Sequence, residues 1–172
     1  MTAENTRRLI LIRHGKSEWS DVDDHERPLA AKGRKDAPAA GKWLAATGIA
    51  PGTALCSTAL RCRETWKLAA AELPQRPPTR FEDRLYDASL GELTALLNEA
   101  SDEVTDLVVV GHNPGLHALA DALAGDGEDG PLAQMRRGGF PSASVAVLTF
   151  DGPWKSLENG SGHLTHFWSP TA

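Results

Sequence analysis

Two histidines of this 172-residue chain stand just past runs of apolar residues. Leu9-Ile10-Leu11-Ile12 leads into Arg13-His14-Gly15, and Leu107-Val108-Val109-Val110 leads into Gly111-His112-Asn113-Pro114-Gly115. A short apolar run closed by a turn signal reads as a buried strand of a parallel sheet. Charge at the carboxyl end of such a strand does nothing for packing, but open α/β sheets place their sites there. A third strand-to-helix turn supplies Ser57-Thr58-Ala59-Leu60-Arg61. Converging turns would gather His14, His112, Arg13 and Arg61 in one pocket. Two guanidinium forks match the oxygens of a phosphoryl group in charge and in geometry. A helix opening at Asn113-Pro114 adds N–H donors and the positive end of its dipole. Arg13-His14-Gly15 therefore reads as an anion-binding catalytic turn. His14 is its nucleophile, because neutral imidazole, with an ordinary pKa of ~6.5, is competent to attack phosphorus.

The elements that must position these residues alternate strand and helix. That order predicts an α/β fold, a three-layer α/β/α sandwich with a mostly parallel mixed central sheet, in one domain over residues 1–172. Ser17 to Arg27 reads as a polar loop with Asp21, Asp23 and Asp24 solvated. Asp24 to Leu29 leads into a helix with an apolar stripe of Ala37, Ala40, Gly41 and Leu44, stopping near Gly48. Pro38 belongs either to its first turn or to a kink. Thr53 to Cys56 is a second strand, and Ser57 or Thr58 caps a helix running to about Glu72. Thr79 to Glu82 is a third, edge-like strand, and Leu90 to Asn98 a helix with leucines at helical spacing. Asn113 is the N-cap and Pro114 the first residue of a helix reaching about Ala124. Gly125 to Gly130 reads as an acidic, flexible loop. Ser144 to Phe150 and Leu164 to Trp168 read as strands joined through Asp151-Gly152-Pro153.

Composition excludes several classes of function. The chain is 41% hydrophobic and 24% charged, which argues against global disorder. A net charge of −5 argues against a nucleic-acid partner, though not against a small basic pocket. Met1 to Arg8 is polar and lacks the apolar core of a signal peptide. No apolar run approaches the ~18 residues of a membrane span. Cys56 and Cys62 match no zinc or redox spacing and read as reduced, structural thiols. The expected setting is the cytoplasm, with no membrane partner. His25, His117, His163 and His166 read as surface or packing residues. Lys16 is open between pocket rim and solvent.

These motifs resemble the histidine phosphatase superfamily, which includes the cofactor-dependent phosphoglycerate mutases. The resemblance rests on Leu-Ile-Arg13-His14-Gly15, Ser57-x-Ala59-x-Arg61 and Gly111-His112-Asn113-Pro114-Gly115, in order and each at a strand end. Ser17-Glu18-Trp19, Arg27-Pro28-Leu29 and Leu85-Tyr86 make it similar to the small SixA-like branch, the protein phosphohistidine phosphatases. The resemblance implies a phosphoglycerate mutase-like fold and a phosphohistidine on His14. It also implies that Arg13, Arg61 and His112 bind the phosphoryl oxygens, with Gly15, Ser20 and Asn113 as further phosphate-binding or lining residues. Neither metal nor other cofactor is required by this inventory.

A general acid is the part no motif singles out; Glu82, Asp83 and Asp87 lie in the stretch after the third strand. A nitrogen leaving group needs less protonation than an alcohol, which favours phosphohistidine over a stable ester. Only about 25 residues separate the third strand from Asp106, too few for a helical lid. An open pocket suits a phosphorylated side chain on another protein, such as a histidine-containing phosphotransfer protein. Two alternatives stand beside this reading: a small-molecule phosphomonoesterase taking a small phosphate ester, and a non-catalytic module that binds phosphorylated residues.

Overall fold

β1 (Thr6–Arg13) is hydrogen-bonded on both sides, parallel to β4 (Asp106–Gly111) and antiparallel to β6 (Val145–Asp151). A strand in that position is buried on both faces, and this is why its apolar run is continuous. In this computed structural model, which describes residues 6–171, seven strands form one sheet in the order β3-β2-β4-β1-β6-β7-β5. β2 (Thr53–Ser57) pairs in parallel with β4 and with the edge strand β3 (Thr79–Glu82). β7 (Gly162–Trp168) pairs antiparallel to β6 and parallel to β5 (Ala124–Gly127). Only β6 runs against the rest, so the sheet is mixed and mostly parallel.

Period-two alternation splits each strand between two cores. Ile10, Ile12, Val108 and Val110 face α1 (Ala31–Ala46) and α2 (Leu60–Ala70), packing with Ala40, Leu44, Cys62 and Trp66. Leu9, Leu11, Leu107 and Val109 face the other layer, of α3 (Leu90–Asn98), α4 (Gly115–Leu123) and α5 (Asp129–Gly138). α1 and α2 approach closely because Gly41 has no side chain; a Cβ there would lie 2.1 Å from the Ala69 carbonyl oxygen.

Several local expectations are corrected. α1 begins at Ala31, after a short 3₁₀ turn at Asp24–Glu26, and Pro38 sits inside it, where it deprives the Arg34 carbonyl of its usual donor. Gly48 follows the helix at φ +80°, as a left-handed stop requires. Neither Ser57 nor Thr58 caps α2; Ala59 holds the N-cap position with no side-chain bond. α4 begins one residue later than expected, with Pro114 as N-cap, yet Asn113 Oδ1 still accepts the His117 N–H at 3.2 Å. The expected acidic loop at Gly125 to Gly130 is instead β5 and the start of α5. β6 and β7 do pair, but the connection between them includes a 3₁₀ turn at Trp154–Ser156 rather than a tight turn alone.

Candidate active site

β2, β4 and β1 are neighbours, so their carboxyl ends, at Ser57, Gly111 and Arg13, form one ledge. The turns beyond them surround a cavity of about 340 Å³ whose walls include His14, His112, Arg13, Arg61, Asn113 and Asp87. The three predicted turns do converge.

His14 is 8% exposed, and its Nδ1 lies 2.7 Å from the Gly15 carbonyl oxygen. A carbonyl only accepts, so Nδ1 carries the proton and Nε2 keeps its lone pair. Burial pushes the imidazole down to about 4, and the charges of Arg61, Arg13 and Arg27 push the same way. The turn itself is clamped. The Gly15 N–H donates to Thr65 Oγ1 at 2.9 Å, and the Thr65 hydroxyl donates to the Arg61 carbonyl at 2.7 Å. A Cβ on Gly15 would lie 3.0 Å from Gly33 Cα, so glycine lets the turn sit against α1. The Gly15 N–H is therefore spent on Thr65 and does not face a ligand.

His112 is wired the other way round. Its Nε2 is 2.8 Å from Ser57 Oγ and its Nδ1 is 3.5 Å from Arg61 Nη2. Arginine only donates, so Nδ1 accepts and Nε2–H donates to the serine. Burial foremost, then the charges of His14 and Arg61, push this ring down to about 3. The two rings meet edge-on at 5.3 Å, both neutral at neutral pH.

The guanidinium of Arg61, 5% exposed, does not present a free fork. Nη1 donates to the Asp24 carbonyl at 2.6 Å and Nη2 to Asp24 Oδ2 at 3.0 Å. The same carboxylate accepts the Tyr86 hydroxyl, and its Oδ1 accepts Arg27 Nε at 3.0 Å. The Tyr86 bond foremost, with those of Arg61 and Arg27, holds the Asp24 carboxyl well below the usual range. Asp24 is thus exposed, as its sequence suggests, and is also the counter-ion that holds Arg61 of the pocket. Arg13 Nη1 and Asn113 Nδ2 both donate to the Phe140 carbonyl, at 3.0 and 2.8 Å. The Nε atoms of Arg13 and Arg61 are buried without a protein partner among the described residues.

The family model for the histidine phosphatase superfamily (branch 1) matches residues 9–106, more than half of the chain. The chain belongs to that superfamily. A protein of uncharacterised function from Mycobacterium tuberculosis is 40% identical over 161 residues, covering 92% of this chain and 99% of its own. Two solved structures, from Nakamurella multipartitia and Agrobacterium tumefaciens, carry the provisional assignment of phosphohistidine phosphatase SixA. The first superimposes with a TM-score of 0.81 at 28% identity, over 97% of this chain and 98% of its own. The second gives 0.80 at 28% identity, over 95% and 98%. Fold and branch are therefore those of a SixA-like histidine phosphatase, within a superfamily of phosphatases and mutases.

Against that family frame the remaining predicted residues separate. Ser20 is exposed and is not part of the cavity wall. Glu82 is bound by Arg84 at 3.0 Å through both carboxylate oxygens, which lowers its pKa, and it is not part of the cavity wall. Asp83 accepts the Thr58 hydroxyl at 2.6 Å, and Thr58 meets His25 Nε2 at 2.9 Å. Asp87 alone of the three lines the cavity, in a left-handed conformation at φ +54° that aspartate tolerates better than most residues. Lys16 lines the cavity as an exposed rim residue. Sequence reasoning gave no role in the site to Asp24, Arg27, Tyr86 or Ser57, although Ser57-x-Ala59-x-Arg61, Arg27-Pro28-Leu29 and Leu85-Tyr86 were among the motifs of the family resemblance.

Proposed function

We propose that this protein is a phosphohistidine phosphatase that acts through a covalent phosphohistidine on His14, taking its phosphoryl group from a histidine of a phosphotransfer protein. The observation that carries this reading is the bond from His14 Nδ1–H to the Gly15 carbonyl. It leaves Nε2 as a neutral nucleophile among cationic side chains.

The steps follow from that tautomer. Nε2 attacks phosphorus while the bond from phosphorus to the substrate imidazole breaks. A substrate phosphoimidazole protonated on its far nitrogen leaves as neutral imidazole, so no protein acid is consumed. The His14 adduct is itself held in the readily cleaved form, because Nδ1 keeps its proton against Gly15. Water then attacks phosphorus and passes a proton to Asp87; the Nε2–phosphorus bond breaks, and the ring regains its lone pair. Arg13, Arg61 and Asn113 surround the transferring group and stabilise its charge, and His112, with its N–H on Ser57, acts through Nδ1 by holding the Arg61 guanidinium. Asp24 acts through Arg61, holding its guanidinium in place. Cys56 and Cys62 are free and buried, and support a reducing compartment.

A small-molecule phosphomonoesterase is the second reading. It is favoured by a slot of about 190 Å³ that shares Asp87, His112 and Asn113 with the cavity and whose other walls include Leu85, Leu93, Pro114 and Leu116. The two readings separate on substrate. Phosphate release is measured from a phosphotransfer domain phosphorylated on histidine and from an aryl phosphate, with His14→Ala as control. The proposal expects the phosphohistidine substrate to be preferred at least tenfold in kcat/KM, with no turnover by the variant. Equal or better ester hydrolysis transfers the assignment to the phosphomonoesterase, and binding without release from either substrate to a non-catalytic module.

A further inference from the structure

Trp19 stands at the rim of the cavity with 88% of its surface in solvent. A lone exposed apolar residue needs no explanation in general. This one rests against a cation that is itself tied down. The Arg27 guanidinium carbon lies 4.5 Å from the indole centroid. That guanidinium is itself locked by Asp24 Oδ1 at 3.0 Å, Ser17 Oγ at 3.0 Å and the Glu18 carbonyl at 3.2 Å. The neck of the loop is pinned as well: Glu18 N–H donates to the Pro28 carbonyl and Ala30 N–H to the Lys16 carbonyl, at 2.9 and 2.8 Å. Val22, in the same loop, is also exposed. The chain thus spends a tied arginine and a closed loop neck on keeping a large aromatic ring in water beside its reactive histidine.

We infer that Trp19, backed by Arg27, is a docking residue for the protein surface that flanks a phosphorylated side chain inserted into the cavity. The inference rests on the phosphohistidine phosphatase reading and adds how the macromolecular substrate is chosen. The occupant is fixed by position: a side chain long enough to bring its phosphoryl group to His14 carries its own backbone past the rim where Trp19 stands. A pre-ordered aromatic ring loses little conformational entropy when such a surface covers it, and tryptophan dominates many interfaces for that reason. A small phosphoryl donor with neither protein nor ring has no surface to cover the indole.

The test compares Trp19→Ala with the parent protein on two donors: a phosphotransfer domain phosphorylated on histidine, and phosphoramidate, which carries the same phosphorus–nitrogen bond with no protein and no ring. The expected result is a rise in KM for the phosphoprotein of roughly tenfold or more, with kcat on it and kcat/KM for phosphoramidate within twofold of the parent. Inhibition by orthophosphate, unchanged in the variant, shows that Arg27 and the pocket stay in place. Trp19→Phe restores most of the affinity. Equal losses on both donors, or no loss on either, overturn the docking role while leaving the phosphatase reading intact. A loss on an aryl phosphate alone overturns it in favour of a stacking platform for small aromatic substrates. A parent protein that cleaves neither donor, or phosphoramidate alone, removes the phosphohistidine-protein reading and the inference with it.

Discussion

At the end of β1, His14 commits Nδ1 to the carbonyl of its own neighbour; at the end of β4, His112 commits Nε2 to Ser57 and turns Nδ1 toward Arg61. The two strands look alike in sequence, an apolar run and then a histidine near a glycine. They differ in what their hydrogen bonds leave over. His14 is left with an unprotonated Nε2 and a proton fixed on the far side of the ring, which is what a nucleophile and its later departure both need. His112 is left with an Nδ1 lone pair already in contact with Arg61 and no N–H to spare, which suits a group that holds the guanidinium in place. Similar strand ends thus yield differently protonated rings, and second partners decide which.

The largest effect expected from this difference is at His14. His14→Asn removes the attacking atom and lowers kcat by roughly 10⁴-fold or more, whereas His112→Asn removes one stabilising contact and costs roughly 10²–10³-fold. Single-turnover phosphate release measures both. Equal losses would mean that the two rings act as one unit and would break the distinction.

Acid stability sharpens the same comparison with a smaller effect. Both folded-state values, about 4 for His14 and about 3 for His112, lie below the ordinary ~6.5 of an unfolded chain. The unfolded chain therefore takes up protons first, and stability is complete above pH ~6.5 and falls as pH drops below it. The loss at His14 is complete near its folded value and amounts to about 3 kcal/mol. Asp24 adds a loss in the same direction at lower pH, because its carboxylate is depressed and its contribution vanishes on protonation. Thermal unfolding between pH 7 and 4 should fall less steeply for His14→Asn than for the parent, by roughly 5–10 °C at pH 4. Parallel curves would show that His14 is not buried in neutral form.

What was legible in the sequence follows from how local its cause is. β1 and β4 announce themselves because burial on both faces demands an unbroken apolar run. The two cavity histidines and Arg13 follow directly from those strand ends, and Arg61 from the turn after β2. β5 and α5 were hidden, since Ala124–Gly127 is an edge strand rich in glycine with an exposed Asp126, and α5 buries Met135 alone. Asp24 was hidden for a different reason. Its partners Arg61 and Tyr86 lie 37 and 62 residues away, and three neighbouring acids in a polar loop look alike until the fold selects one. The same holds for Glu82, Asp83 and Asp87, whose ranking depends on Arg84 and Thr58 claiming the first two.

The central claim is a phosphoryl group carried on Nε2 of His14, and the phosphorylated enzyme itself is its most direct test. The protein is mixed rapidly with excess phosphohistidine-bearing phosphotransfer domain, quenched in alkali to preserve phosphorus–nitrogen bonds, and measured by intact mass and peptide sequencing. The account predicts a mass gain of one phosphoryl group, located on His14 and absent from His14→Asn. Full-rate phosphate release with no adduct on His14, or an adduct on His112, would contradict it.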